Sequence, residues 1–220
     1  MARGSGDRAG LFITLEGGEG AGKSVQAETL AQRLAGQGRT VVSTREPGGT
    51  PLGERLRDIA LDLSSGGNST ALGPLTETLL FVAARAELVA TVIEPALARG
   101  DIVICDRFAD STVAYQGFGR GVEREVIEQL NAVATRGLLP NLTVLLDLPA
   151  AEGLARTGTA GQADRFGREE IAFHERVRDG YRSLAAREPG RWLVLDASQP
   201  PEAVAEAIWR RVALLRERLR

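Results

Sequence analysis

LFITLEGGEGAGKS, residues Leu11 to Ser24, decides the fold. Its first half, Leu11 to Glu16, is a short and mostly apolar run that ends at Gly17-Gly18, the pattern of a buried strand. Its second half, Gly17-Gly18-Glu19-Gly20-Ala21-Gly22-Lys23-Ser24, satisfies G-x-x-x-x-G-K-[ST] without adjustment. The glycines and Ala21 let backbone N–H groups turn inward around phosphate oxygens, helped by the positive end of the helix that follows. Lys23 is placed to reach the β and γ phosphates of a nucleoside triphosphate, and the Ser24 hydroxyl to ligate Mg²⁺. A glycine-rich turn can match such a pattern by chance. Here the motif leaves a strand and opens a helix, the context that the phosphate-binding reading requires.

Outward from this stretch, strands and helices alternate. Val25, Leu30 and Leu34 fall near helical spacing, and Gly36 and Gly38 stop that helix. Thr40 to Thr44 is a β-branched strand, followed by Pro47-Gly48-Gly49 and a helix from about Pro51 to Leu63. Ser64 to Ser69 is loop by composition. A long helix spans about Pro74 to Arg99, with a break expected near Pro95. Asp101 to Cys105 is the third strand and Leu142 to Leu146 the fourth, with helices near Asp110 to Tyr115 and Glu123 to Arg136 between them. After a short helix comes Thr157 to Gly167, rich in Gly, Ala and Thr. A helix from about Arg168 to Arg187, a strand from Trp192 to Leu195 and a last helix from about Pro201 to Arg218 complete the chain. Strands apolar on both faces that alternate with helices indicate a parallel sheet covered by helices. Five of them make a three-layer α/β fold of the P-loop NTPase kind, read as one domain over residues 1–220 with a flexible lead-in at Met1 to Gly10.

Composition narrows the partners. The 220 residues carry a net charge of -2, so no basic excess points to nucleic acid. One cysteine, Cys105, can form neither an internal disulfide nor a Cys-based zinc cluster, and reads as buried strand packing in a reducing, cytoplasmic setting. Apolar runs fall far short of the roughly 20 residues of a membrane span. Of 27 basic residues, 26 are Arg and Lys23 is the only Lys. A drift toward Arg would spare a lysine whose compact charge Arg cannot copy. The same count excludes an Asn-Lys-x-Asp guanine signature.

Asp106 follows the third strand directly, at the sheet edge where ligands of open α/β folds collect. It fits a Mg²⁺-holding role, and an N-cap is the alternative. Arg107 beside it would add a phosphate contact. His174, the single histidine, reads as a surface residue of its helix with no catalytic partner.

Longer segments resemble one family. Thr44-Arg45-Glu46-Pro47-Gly48-Gly49-Thr50, Asp106-Arg107-Phe108 with Ser111, Ala114-Tyr115-Gln116-Gly117, Gly119-Arg120-Gly121, Phe81-Val82-Ala83-Ala84-Arg85 and Asp164-Arg165-Phe166 are similar to the motifs of bacterial thymidylate kinase. The resemblance runs from about Leu11 to the last helix and implies transfer of the γ-phosphoryl group of ATP to dTMP, with Mg²⁺, in a homodimer. It implies that Phe81 stacks on thymine and that Arg85, four residues on and on the same helix face, reaches the base edge. On spacing alone Phe81 fits ordinary core as well. It further implies that Arg45 and Arg107 hold the acceptor phosphate and that Ser111, Tyr115 and Gln116 line the dTMP site. Glu19 would take a hydrogen bond from the 3′-OH, and Arg156 would lie against adenine beside the Asp196–Gln199 loop. The stretch from about Thr157 to Gly167 would be a lid. Members with Gly at the Gly20 position carry extra lid arginines, and this chain departs by having Gly158 and Ala160 there. Arg156, Arg165 and Arg168 remain, and Arg165 is the candidate for the transferring phosphoryl group. A deoxynucleoside kinase, another nucleotide kinase or a non-kinase ATPase are the rival readings.

Overall fold

A computed structural model describes residues 10–61, 72–158 and 166–218. In chain order it contains β1 (Leu11–Glu16), α1 (Lys23–Ala35), β2 (Val41–Arg45), α2 (Pro51–Leu61) and α3 (Pro74–Leu88), then α4 (Glu94–Ala98), β3 (Ile102–Asp106), α5 (Ala109–Thr112) and α6 (Arg124–Thr135). It ends with β4 (Leu142–Asp147), α7 (Ala150–Gly158), α8 (Ile171–Arg187), β5 (Trp192–Asp196) and α9 (Pro201–Arg218). The five strands form one parallel sheet in the order β2-β3-β1-β4-β5. Among the described residues no helix is long and apolar enough to cross a membrane.

Side-chain alternation on β1 assigns its faces. Leu11, Ile13 and Leu15 pack with Leu30 and Leu34 of α1 and Ile208 and Val212 of α9. Phe12 points the other way, into a core shared with Leu88, Val103 and Phe108. That second face is not apolar throughout. Thr14 is buried there against Thr143 of β4, oxygen to oxygen at 3.0 Å, and Glu16 is buried at the strand's end. The three central strands are covered on both sides, whereas β2 and β5 are half-exposed, as edge strands are.

Several expectations need correction. Strands β2 to β5 each run to Arg45, Asp106, Asp147 and Asp196, so Asp106 is the last strand residue rather than the first loop residue. The long helix widens into a π-type segment at Val89–Ile93 ahead of Pro95, whose ring excludes the carbonyl four residues back and whose nitrogen carries no proton. A second π-type segment, Val113–Gly119, replaces the expected end of the helix near Tyr115. Helix α8 begins at Ile171, three residues later than Arg168. Val25 lies on the solvent face of α1, 58% exposed. His174 is buried, 5% exposed, with its ring edge-on to Phe173. Residues 1–9 of the expected lead-in, the stretch Ser64–Ser69 and most of the expected lid, Arg165 included, lie outside the described residues.

Candidate active site

The loop between β1 and α1 turns on glycines that a side chain could not replace. Gly20 has φ 67°, and a Cβ there would sit 2.2 Å from the Gly153 carbonyl oxygen of α7. A Cβ on Gly153 would in turn meet the Glu19 carbonyl oxygen at 2.2 Å. The loop and α7 therefore pack backbone against backbone, and no arginine fits at position 20. Lys23 is buried at the first turn of α1 and donates from Nζ to the Gly18 carbonyl at 2.8 Å, across the mouth of the loop. Burial and then the Arg107 cation pull its ammonium down to about 8, against the pull of Glu19, Asp106 and Glu16. The Ser24 hydroxyl donates to Asp106 Oδ2 at 2.6 Å.

Beside this loop opens a cleft of about 330 Å³. Glu19, Lys23 and Ser24 line it from the loop, and Asp106 and Arg107 from the end of β3. Arg45, Phe81, Arg85, Ser111, Tyr115 and Gln116 line it from β2, α3, α5 and the π-type segment. Eleven side chains singled out in the sequence thus meet on one cavity. Gly17, Gly18, Gly20, Ala21 and Gly22, also singled out in the sequence, are not among its lining residues and belong to the turn between β1 and α1. Arg156 stands behind the loop instead, with Nη1 donating to the Ala197 carbonyl at 3.2 Å and to that of Gly20 at 3.5 Å. It thereby ties the glycine-rich loop to the Asp196–Gln199 turn.

Arg107 is the hub. It adopts φ 70°, a left-handed conformation that costs a non-glycine residue about 1–2 kcal/mol. The turn is pinned by its own N–H to the Leu15 carbonyl and by the Phe108 N–H to Glu16 Oε1, at 2.9 and 2.8 Å. The guanidinium then donates to the Gly17 carbonyl, Glu19, and the hydroxyls of Tyr115 and Tyr181, at 2.8–3.1 Å. Burial alone would raise the Glu19 carboxyl, but Arg107 and then Lys23 hold it down at about 2. Glu16 sits beneath, accepting from Ser111 and Tyr181 at 2.6 and 2.9 Å, and burial together with nearby Asp110 lifts it to about 7.

Arg85 is engaged more deeply than the resemblance implies. It is 2% exposed and donates to Glu46, Asn131, the Phe108 carbonyl and Thr112, while still lining the cleft. Arg45, the outermost of the arginines, pairs with Glu54 at 3.0 Å. Phe81 faces Phe166 with ring centroids 6.1 Å apart. Sequence reasoning missed Arg57, which reaches the cleft from α2 and donates to the Pro47 carbonyl at 3.0 Å. It also missed Glu16 and Tyr181. Arg57 is one of two arginines near the middle of α2 and nothing in the local pattern separates it from Arg55. Glu16 ends an apolar run and had a detectable signal, a charge where burial was already expected.

The chain can now be set beside known proteins. The family model described as Thymidylate kinase matches residues 15–208. Thymidylate kinase of Deinococcus radiodurans is 51% identical over 204 residues, covering 93% of this chain and 97% of the relative. That of Solidesulfovibrio magneticus is 52% identical over 206 residues, covering 90% and 97%. The crystal structure of thymidylate kinase from Ehrlichia chaffeensis superposes with a TM-score of 0.74 at 34% identity, covering 93% of this chain and 99% of that one.

Proposed function

The chain belongs to the thymidylate kinase family, and from that premise we infer that its cleft transfers the γ-phosphoryl group of ATP to dTMP, giving dTDP and ADP. The observation that carries the reading is a shared cavity. The phosphate-loop lysine, Lys23, faces the same space as Arg107 and the aromatic and amide side chains Phe81 and Gln116.

The acceptor is already a nucleophile. A phosphate monoester with a second pKa near ~6 is largely dianionic at neutral pH and needs no general base. The protein's task is to align two phosphates and offset their charge. Lys23 takes the donor's β and γ phosphates, with the backbone N–H groups of Gly17 to Ser24 around them. Arg107 and Arg45 take the acceptor phosphate. Phe81 covers one face of thymine, Arg85 and Gln116 address its edge, and Tyr115 and Ser111 close around the sugar. Glu19, ionised and able only to accept, suits a donating 3′-OH. Arg156 supports the adenine side, and Arg165, on the family resemblance, offsets charge on the transferring group in the lid from about Thr157 to Gly167.

Ser24 and Asp106 fit Mg²⁺. Two hard oxygen donors lie 2.6 Å apart at the edge of the phosphate loop, and Mg²⁺ beside a nucleotide takes few protein ligands and completes its shell with phosphates and water. When bound, the ion would neutralise charge on the donor phosphates.

A nucleoside kinase must deprotonate a neutral hydroxyl. Glu19, held at about 2 by its cationic neighbours, is a poor base for that step, and Glu46 is committed to Arg85. The reading extends to one domain over the chain, a cytoplasmic enzyme that feeds dTTP synthesis, and a homodimer. Leu75 and Leu79, exposed one turn apart on α3, suit a pairing face. An ADP-release assay with ATP against dTMP, dUMP, dCMP, dGMP and thymidine tests the function. Preference for dTMP is expected, and thymidine turning over as fast as dTMP would overturn it.

A further inference from the structure

We propose that Glu77 decides which pyrimidine the cleft accepts, by holding the Gln116 amide in one of its two orientations; the inference rests on the dTMP reading above and deepens it. Glu77 lies on α3 one turn before Phe81 and two before Arg85, on the same helix face. It is 0% exposed and is not among the cleft-lining residues. Its Oε1 accepts from Gln116 Nε2 at 2.7 Å and from Arg120 Nε at 3.4 Å. Arg120 supplies the countercharge. It also pairs with Glu169 at 2.7 Å, and its guanidinium lies over the rings of Phe173 and Phe166 at 4.7 and 5.4 Å. A carboxylate is buried in this way only at the cost of desolvation.

The chemistry of the pair fixes a direction. The Glu77 carboxylate, paired with the Arg120 cation, accepts through Oε1, so the NH₂ end of the Gln116 amide faces Glu77. The amide oxygen makes no hydrogen bond among the described residues and is the atom left for a base. Gln116 lines the cleft on the π-type segment Val113–Gly119, opposite the helix that carries Phe81.

Orientation of one amide separates two pyrimidines. Thymine offers an N3–H donor flanked by carbonyl oxygens, which an amide oxygen accepts. Cytosine offers a bare N3 acceptor beside a 4-amino donor, which the same amide would read if it were turned over. Gln116 free to turn could serve both bases. Gln116 held by Glu77 serves thymine and leaves cytosine facing an unmatched acceptor, the kind of mismatch that strongly discriminates between ligands in a closed site. Glu77 is thus a positioning residue that acts through Gln116.

The test compares dTMP with 5-methyl-dCMP, which differ only at the N3 and 4-position edge. Glu77→Gln keeps shape but can donate as well as accept, so the Gln116 amide is free to adopt either direction. Its ratio of kcat/KM for dTMP over 5-methyl-dCMP is expected to fall at least about tenfold, one mismatched hydrogen bond's worth, with KM for ATP unchanged. Glu77→Asp, still accepting only, is expected to hold the wild-type ratio more closely than Glu77→Gln. A folded Glu77→Gln protein with the wild-type ratio overturns the proposal. If that variant does not fold, N3-methyl-dTMP on the wild type decides. Loss of most turnover is expected where the N3 proton is gone, and undiminished turnover overturns the proposal. Wild-type protein that fails to phosphorylate dTMP would defeat the functional reading itself. Wild-type preference for dTMP that survives Glu77→Gln would defeat this inference alone.

Discussion

The two sides of the cleft are built in opposite ways. On the proposed reading the donor side is one contiguous stretch, Gly17 to Ser24, in which backbone geometry is expected to do most of the binding and a single side chain, Lys23, to supply the cation. The acceptor side is assembled from β2, α2, α3, β3, α5 and the π-type segment, and its side chains hold one another. Arg107 alone contacts Gly17, Glu19, Tyr115 and Tyr181, and Arg85 contacts Glu46, Asn131, Phe108 and Thr112. Function on the donor side is therefore concentrated and brittle. On the acceptor side it is shared and strongly coupled.

The largest effect should come from the concentrated side. Lys23→Ala is expected to lower kcat by about 10³ or more, since removing one preorganised charge from a transition state commonly costs 10²–10³ and no second lysine exists. Circular dichroism and Tm should stay close to wild type, because a partly desolvated cation is removed rather than a packing group. Lys23→Arg should fail nearly as badly, as the wider fork does not fit where Lys23 is buried against the Gly18 carbonyl. Retention of most activity by Lys23→Arg would break the contrast between the two sides.

On the coupled side, Arg107→Ala is expected to reduce kcat/KM for dTMP about 10²–10³-fold while leaving KM for ATP nearly unchanged. It should also lower Tm, because it strands the Glu19 carboxylate that Arg107 holds ionised. Adding Glu19→Gln to Arg107→Ala should recover part of the Tm and none of the activity. Simple additivity of the two substitutions in both Tm and kcat/KM would show that the acceptor wall is not a coupled unit.

How far the sequence revealed each side follows the same division. The donor loop was legible because its chemistry demands residue types at fixed spacing in one strand–turn–helix segment. The sheet was legible because β1, β3 and β4 are almost wholly buried: β1 was placed at its observed bounds, β2 and β3 were set one residue early, and β4 and β5 ended one residue short. The acceptor residues became legible through whole motifs such as TREPGGT, since their contacts join positions far apart in the chain. Glu16 with Tyr181, 165 residues apart, is the extreme case. Arg57 and Glu77 stayed hidden because each sits in an ordinary amphipathic helix and gains meaning only from what tertiary packing brings opposite. The π-type segments escaped for a related reason. Their local composition reads as α-helix, and Pro95 signals an interruption without saying that the turn widens.

A smaller effect is expected from pH. Burial, and then Arg107, bring the Lys23 ammonium down to about 8. Below that value the lysine is charged and can bind phosphate; above it the lysine is neutral. The kcat/KM for ATP reports the free protein, and should therefore fall above pH 8, by about tenfold for each further unit. The kcat/KM for dTMP should also fall on the acid side, below the acceptor phosphate's second pKa of ~6. A flat ATP profile to pH 9.5 would show that Lys23 is less desolvated than its place in the loop implies.

The mildest change should be at Arg156, which lies behind the donor loop rather than in the cleft. Its guanidinium joins the Gly20 carbonyl to the Ala197 carbonyl, so it braces the loop against the Asp196–Gln199 turn, where we propose that it stacks on adenine. Loss of such a contact costs about 0.5–2 kcal/mol, a weakening of ATP binding between roughly twofold and thirtyfold. Because stacking on adenine is the same before and during phosphoryl transfer, KM for ATP should rise while kcat at saturating ATP stays close to wild type. KM for dTMP should not move, since Arg156 is not among the residues lining the acceptor cleft. Arg165→Ala, tested beside it, should give the reverse pattern, a lower kcat with little change in either KM. If Arg156→Ala instead abolishes kcat and Arg165→Ala does not, the two arginines exchange roles, and the donor side draws its transition-state charge from α7 as well as from Lys23.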